Sequence, residues 1–100
     1  MILYNVTAKI DKEIEAEWLE WMKGKHIPDV MATGFFESYR MYRLLHDDPD
    51  GVTYAVQYFC ESMKKLQTYA SKHAPPLQAA YKERYKDRYV IIRTLMESVD

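Results

Sequence analysis

The apolar residues of this chain change their spacing along the sequence, and that change constrains the fold more than any other feature. Residues 2–10 alternate apolar and polar side chains, which is typical of a half-buried strand. An apolar stripe at helical spacing follows, formed by Ile14, Trp18, Trp21 and Met22. Residues 52–59 alternate again, and a second helical stripe follows them. The chain therefore combines strands and helices in two similar halves.

The order of the predicted elements is β-α-β-β-α-β. Strands are predicted at residues 2–10, 35–45, 52–59 and 88–99. A first helix is predicted after Asp11, and a short helical turn at 29–33 is closed by Gly34. A further helix is capped by Ser62 and interrupted by Pro75-Pro76. Residues 47–51 are rich in turn formers and join the two middle strands. This order favours a single α+β domain over residues 1–100, ferredoxin-like, with both helices on one face of a four-stranded antiparallel sheet.

The two faces of this predicted sheet differ in polarity. We assign the more apolar set to the helices: Tyr4, Val6, Ala8, Val52, Tyr54, Val56, Tyr58, Val90, Ile92 and Met96. The opposite set is mixed: Leu3, Asn5, Thr7, Thr53, Ala55, Gln57, Phe59, Tyr89, Ile91, Arg93 and Leu95. Such a face is too apolar for open water and too polar for a dry core. We therefore predict a homodimer in which a second copy covers this face.

Polar residues within the strands are the leading candidates for a ligand site. Asn5, Gln57 and Arg93 each interrupt an otherwise apolar segment, and an unpaired buried polar group costs roughly 1–3 kcal/mol. A charge in a central sheet needs a carboxylate, carbonyl groups or an anionic ligand. Two interpretations stay open: a pocket for a small organic ligand, which Trp18 would also line, and a polar network within an interface.

His26 is the candidate catalytic residue. It follows the first predicted helix, whose negative end favours the protonated imidazole, so we expect a pKa near or above neutrality and acid catalysis. His26 and Asp29 are three residues apart, but no cluster of Cys or His supplies further ligands, so no metal site is expected. In the same helix, Trp21 and Met22 are predicted to be core residues, and Trp18 is predicted to be partly exposed near the pocket.

Composition narrows the classes of partner. The net charge of -1 gives no electrostatic reason to expect nucleic acid or an anionic membrane. Asp50 also stands where an RNA-binding sheet of this fold needs a basic residue. No apolar segment is long enough to cross a membrane, and no secretion signal is visible. The single cysteine, Cys60, fits a reducing compartment, so a cytoplasmic protein is expected.

Four segments of the chain are similar to a known group of proteins. The segments YNVT (4–7), WLEWM (18–22), HIPDVMATGF (26–35) and VTYAVQY (52–58) resemble a small bacterial family of unknown function. That family is similar to the dimeric α+β barrel superfamily, which includes antibiotic-biosynthesis monooxygenases, haem-degrading enzymes and small-lactone isomerases. The resemblance implies a homodimer with one pocket in each protomer, and it implies no single reaction.

The resemblance also bears on cofactors and activity. The haem-degrading branch has an Asn on its first strand and a Trp and a His in its second half; Asn5 and His73 match, but both Trp residues lie in the first helix. Haem is therefore not expected, and no other cofactor is assigned. The resemblance implies a cofactor-independent monooxygenase-like or isomerase-like enzyme acting on a small organic molecule. The alternative is a non-catalytic homodimer that binds a small ligand or a protein partner.

Overall fold

The predicted order of elements is confirmed by a computed structural model, which describes residues 1–46 and 48–100. The elements are β1 (Ile2–Ile10), a 3-10 turn (Lys12–Ile14), α1 (Glu15–Trp21), a π-helical turn (Met22–His26), α2 (Ile27–Ala32), β2 (Ser38–Arg43), β3 (Val52–Cys60), α3 (Met63–Lys72), α4 (Ala74–Tyr85) and β4 (Tyr89–Glu97). β2 starts later than expected, because Phe36 packs in the core between Tyr58 and Tyr69 before the strand begins. The predicted turn at 47–51 starts at Asp47, which lies outside the described residues.

The four strands form one antiparallel sheet in the order β2-β3-β1-β4. The long strands β1 and β3 are central, and β2 and β4 are the edges. The helices cover one face, where Ala8, Tyr54, Val56 and Tyr58 are buried against them. The α+β, ferredoxin-like architecture predicted from the order of elements is therefore confirmed.

The face assigned to β4 is wrong by one residue. Val6 is opposite Val56 on β3 and opposite Arg93 on β4, so Arg93 lies on the helix-covered face. Val90 and Ile92, which we had assigned to the helices, point to the other face, where each is 63% exposed. Both alternating sets of β4 are apolar, so the pattern of this strand does not distinguish its faces. The register with β1 decides it, because a shift of one residue exchanges every side chain between faces.

The assignment of the two tryptophans is also corrected. Trp18 is fully buried, and its ring packs 5.0 Å from the ring of Tyr54, whereas Trp21 is only half-buried. Met22 is a core residue, as predicted. Both tryptophans belong to the same stripe, but three residues of α-helix leave their side chains about 60° apart around the helix axis. Trp18 therefore packs on Tyr54 of the sheet, whereas Trp21 packs on Tyr81 and Tyr85 of α4.

The segment boundaries follow from local chemistry. Ser62 caps α3 by accepting a hydrogen bond from the Lys65 amide at 3.3 Å, and Gly34 ends the α2 region with a φ of +81°. Pro75-Pro76 divides the second helical region into α3 and α4 and lies in the first turn of α4, where proline is tolerated. Asp11 does not cap a helix; its carboxylate pairs with Arg88 instead.

Candidate functional site

A small cavity lies between the sheet and the helices. Its volume is about 50 Å³, which is room for one or two water molecules. The strands contribute mainly aromatic and aliphatic walls, and the helices close the opposite side. The lining residues are Tyr4, Val6, Ala8, Met22, His26, Val30, Val56, Tyr58, Tyr69, Leu77, Gln78, Tyr81, Tyr89, Ile91 and Arg93.

His26 reaches this cavity from the last position of the π-helical turn. Pro28 lacks an amide hydrogen and so cannot complete a regular helical hydrogen-bond ladder at this point, which is consistent with the widened turn before it. The imidazole stacks on Trp21 at 4.9 Å and meets the Tyr81 ring edge-on at 5.4 Å. His26 is therefore held between aromatic rings rather than free at a helix end.

The electrostatic state of His26 is the opposite of the one expected from sequence. Burial lowers the pKa of His26 from 6.5 to about 4, with Asp29 acting against the shift and Arg93 adding to it. The expectation of a raised pKa is wrong because the helical backbone continues into α2, so His26 does not sit at a helix terminus. The carboxylate of Asp29 is also partly neutralised by Lys25, whose Nζ is 3.0 Å away. His26 is thus a neutral imidazole at pH 7 with a free nitrogen lone pair, and its lowered pKa makes it a weaker base than an exposed histidine.

Tyr81 also lines this cavity, and its hydroxyl is oriented by a hydrogen bond. The buried Trp18 Nε1 donates a hydrogen bond to the Tyr81 Oη at 2.7 Å. With one lone pair engaged, the hydroxyl can still donate its own hydrogen. Burial raises the pKa of Tyr81, so the hydroxyl stays protonated at neutral pH. Trp18 is therefore a core residue that supports Tyr81, and it is absent from the cavity wall where we expected it.

Arg93 lies at the mouth of the cavity and brings a positive charge to it. Its Nε donates to the Tyr4 Oη at 3.1 Å, and its side chain is otherwise exposed. Arg93 is the permanently charged member of the cavity lining, since His26 is neutral there. A neutral imidazole and a fixed cation thus border one small cavity.

A larger apolar groove adjoins the cavity on its outer side. It has a volume of about 390 Å³ and runs between α3, the start of α4 and the end of β4. Met63, Leu66 and Leu95 contribute apolar walls. The groove and the inner cavity share four lining residues, which form the boundary between them: Tyr4, Tyr69, Gln78 and Arg93.

Asn5 and Gln57 do not reach the cavity. They are paired across β1 and β3 on the uncovered face of the sheet, away from the helices. The Asn5 Nδ2 donates to the Thr7 Oγ1 at 2.9 Å, and Asn5 is 8% exposed. The prediction that Arg93 shares a face with these two residues is therefore wrong, whereas His26 and Arg93 do lie together.

The part of the chain that the structure describes also bears on a metal site, a membrane-spanning helix and a reactive cysteine. Within residues 1–46 and 48–100, no three His, Cys, Asp or Glu residues are grouped so as to hold a metal ion. No described helix has both the length and the apolar character needed to cross a bilayer. Cys60 is fully buried at the end of β3, away from the cavity lining. The cytoplasmic location inferred from this cysteine stays a prediction.

Sequence reasoning missed the residues that complete the site. Tyr4, Tyr69 and Tyr81 line the cavity, yet they had been assigned only to apolar stripes or a sheet face. The one available signal was the number of tyrosines, nine in 100 residues. Tyrosine suits a wall with an apolar body and a polar tip.

Comparison with solved structures shows the same fold in several proteins. HapK from Hahella chejuensis has a TM-score of 0.72 at 8% identity, covering 99% of this chain and 93% of that one. SnoaB from Streptomyces nogalater, described as a cofactor-independent oxygenase, has a TM-score of 0.65 at 9% identity, covering 99% and 94%. A protein described as an antibiotic biosynthesis monooxygenase has a TM-score of 0.64 at 14% identity, covering all of both chains. At these identities the likeness shows the fold alone, and the expected resemblance to such proteins is confirmed.

Sequence comparison identifies a family as well. A family model described as a domain of unknown function, DUF4286, matches residues 1–99. No curated protein sequence gives a significant match.

Proposed function

We propose that this chain, which belongs to the DUF4286 family of unknown function, is an enzyme. The proposed reaction removes a proton from the carbon next to a carbonyl group in a small apolar molecule. The observation that carries this proposal is that the neutral imidazole of His26 and the guanidinium of Arg93 line one cavity. A neutral imidazole can take a proton from carbon, and a guanidinium can stabilise the enolate that remains.

The proposed step balances without a further reactant. The C–H bond next to the carbonyl breaks, its proton moves to His26, and the electron pair becomes an enolate whose oxygen faces Arg93 and the Tyr81 hydroxyl. Return of the proton to another carbon gives an isomer. Reaction of the enolate with dioxygen gives an oxygenated product, the kind of activity that the description of SnoaB names for that protein. The first step is common to both outcomes.

Ligand binding to this site requires the outer groove. The inner cavity of about 50 Å³ is too small for a ring, whereas the groove beside it measures about 390 Å³. We infer that the body of the ligand lies in the groove and that its reacting end passes the boundary formed by Tyr4 and Arg93. The Tyr4–Arg93 hydrogen bond would then open on binding.

The test uses 2-tetralone, an apolar ketone with exchangeable hydrogens at C1. Deuterium incorporation at C1 in D₂O, followed by ¹H NMR, should exceed the buffer rate with the parent protein and return to it with His26→Gln. His46→Gln is the matched control, since His46 is exposed in the loop after β2 and does not line the cavity. If His26→Gln exchanges as fast as the parent, His26 is not the base.

A non-catalytic binding protein is the second candidate. The small inner volume favours it, because the cavity that His26 shares with Arg93 is only about 50 Å³ and is too small to hold a substrate. Shifts of NMR signals from residues around Arg93 on adding 2-tetralone, with no deuterium uptake, would support binding without turnover.

We further propose that two copies associate through the uncovered face of the sheet. That face carries Val90 and Ile92, each 63% exposed, and Met96, 43% exposed, beside Asn5 and Gln57. Contiguous exposed apolar area of this kind marks an interaction surface, and a stable dimer buries roughly 1,200 Å² or more. Asn5 and Gln57 would supply polar contacts within this interface.

Light scattering on a sizing column at micromolar concentration tests this association. The parent should elute as a dimer and Ile92→Glu as a monomer, because a carboxylate would be buried without a partner. Val99→Glu is the control, since Val99 is 96% exposed and lies beyond the end of β4. A monomeric parent would contradict the proposal.

A further inference from the structure

Arg93 differs from the well-paired arginines of this chain. Arg84 reaches Glu17 at 2.6 Å, and Arg88 pairs with both Asp11 and Glu13. Arg93 makes one hydrogen bond, from Nε to Tyr4, and among the described residues no carboxylate lies within ion-pair distance of it. The outer N–H groups of the guanidinium therefore remain available as donors for a ligand.

The surroundings of Arg93 have a single sign of charge. Among residues 1–46 and 48–100, no Asp or Glu lines the inner cavity or the outer groove. Arg93 belongs to both linings and is the formally charged residue in each, with His26 neutral. A cationic ligand would find no counter-ion here, whereas an anion would find a cation with free donors.

The outer groove adds a requirement for apolar surface. Leu95 is 52% exposed and Met63 is 40% exposed, and both lie in the groove wall with Leu66, Ala70 and Ala74. Apolar side chains exposed along a groove gain free energy when a ligand removes them from water. At the inner end of the groove, Tyr4, Gln78 and Arg93 border the cavity, and Gln67 is a further polar residue of the groove wall.

We propose that this site takes an amphipathic anion, with its carboxylate or enolate on Arg93 and its apolar body in the groove between α3 and β4. The inference rests on the proposed function, since it names the substrate class of the same site. The negative group lies at the boundary between groove and cavity, where Arg93 belongs to both linings, and the apolar body extends outward along the groove. The proposed ligand is a free small molecule, which fits a groove of about 390 Å³.

The experiment compares four probes by ¹H–¹⁵N NMR of the labelled protein: octanoate, octanamide, octylammonium and acetate. Octanoate should bind with shifts localised to α3, Arg93 and β4. Octanamide should bind about tenfold or more weakly, because it lacks the charge-assisted contact. Octylammonium and acetate should give no localised shifts. Between hexanoate and octanoate, affinity should rise by about twofold to fourfold per methylene.

Matched variants assign the binding to Arg93 and the groove. Arg93→Gln should weaken octanoate to the level of octanamide, while Arg40→Gln should leave it unchanged, since Arg40 lies on the other face opposite Gln57. Leu95→Ser should weaken octanoate and flatten the dependence on chain length. Equal binding of octanoate and octylammonium, or an Arg93→Gln variant that binds as the parent does, would overturn the proposal.

Failure of the proposed ligand class can be distinguished from failure of the proposed catalysis. His26→Gln should keep octanoate affinity within about twofold while it abolishes deuterium exchange of 2-tetralone. Localised octanoate binding with no exchange in the parent would support the ligand class and contradict the enzyme. Exchange in the parent without preference for the anionic probe would support the enzyme and contradict the ligand class.

Discussion

Acidification should destabilise this protein through His26 in a defined pH range. The pKa of His26 is lowered from 6.5 to about 4 in the folded state, mainly by burial. Between these two values the unfolded chain binds a proton at His26 and the folded chain does not, so the free energy of unfolding falls as the pH falls. The free energy of unfolding therefore keeps its full value above pH 6.5 and falls progressively as the pH drops to about 4. Below that pH, His26 causes no further change.

The size of this effect follows from the shift. One pKa unit corresponds to roughly 1.4 kcal/mol, so the full loss is about 3 kcal/mol, with about 2 kcal/mol of it expected between pH 7.5 and pH 5. Such a loss is a large part of the roughly 5–15 kcal/mol that stabilises a domain of this size.

Urea unfolding, followed by tryptophan fluorescence at pH 7.5 and pH 5, measures the loss. Carboxylates also contribute to acid destabilisation, so the relevant quantity is the difference between the parent and a His26→Gln variant. The parent should lose about 2 kcal/mol more than this variant over the interval. A second variant, His26→Phe, keeps a ring against Trp21 and should also lack the excess loss.

His46→Gln is the control, because it removes an exposed imidazole and leaves His26 in place. It should reproduce the parental pH dependence. An NMR titration of the His26 ring gives the pKa directly. A midpoint at or above 6.5, or an equal loss of stability in parent and His26→Gln, would refute the reasoning.

Three further predictions concern stability and are measured by urea unfolding at pH 7.5. Trp18→Ala should cost about 3–5 kcal/mol and clearly more than Trp21→Ala, because Trp18 is fully buried; the reverse order would contradict the corrected core. Tyr81→Phe should cost about 1–3 kcal/mol by leaving the buried Trp18 Nε1 without its acceptor, and a neutral effect would mean that this bond is dispensable. Gly51→Ala should cost about 1–3 kcal/mol, because the new Cβ would lie 2.6 Å from the Ile10 carbonyl oxygen. Gly24→Ala, whose Cβ meets nothing within 4 Å, should be neutral or stabilising by up to about 1 kcal/mol, and equal losses at both glycines would contradict the packing argument.

The architecture could be predicted from sequence because it depends on local periodicity. The alternation in residues 2–10, the helix cap at Ser62 and the stop at Gly34 are each determined by neighbours in the chain, and all three are found in the structure. The candidate pair of His26 and Arg93 was also recognisable, because a charge within an apolar strand requires an explanation.

What the tertiary structure decided is which residues meet. Both sides of β4 are apolar, so its pairing with β1 was needed to place Arg93 on the helix-covered face and away from Asn5 and Gln57. Continuation of the helical backbone into α2 and burial among aromatic rings reversed the expected charge state of His26. The Trp18–Tyr81 bond joins residues 63 positions apart, and no local pattern contains it. Periodicity specifies the elements because neighbours in sequence interact within each element, whereas register, burial and long-range hydrogen bonds exist only after the elements have packed.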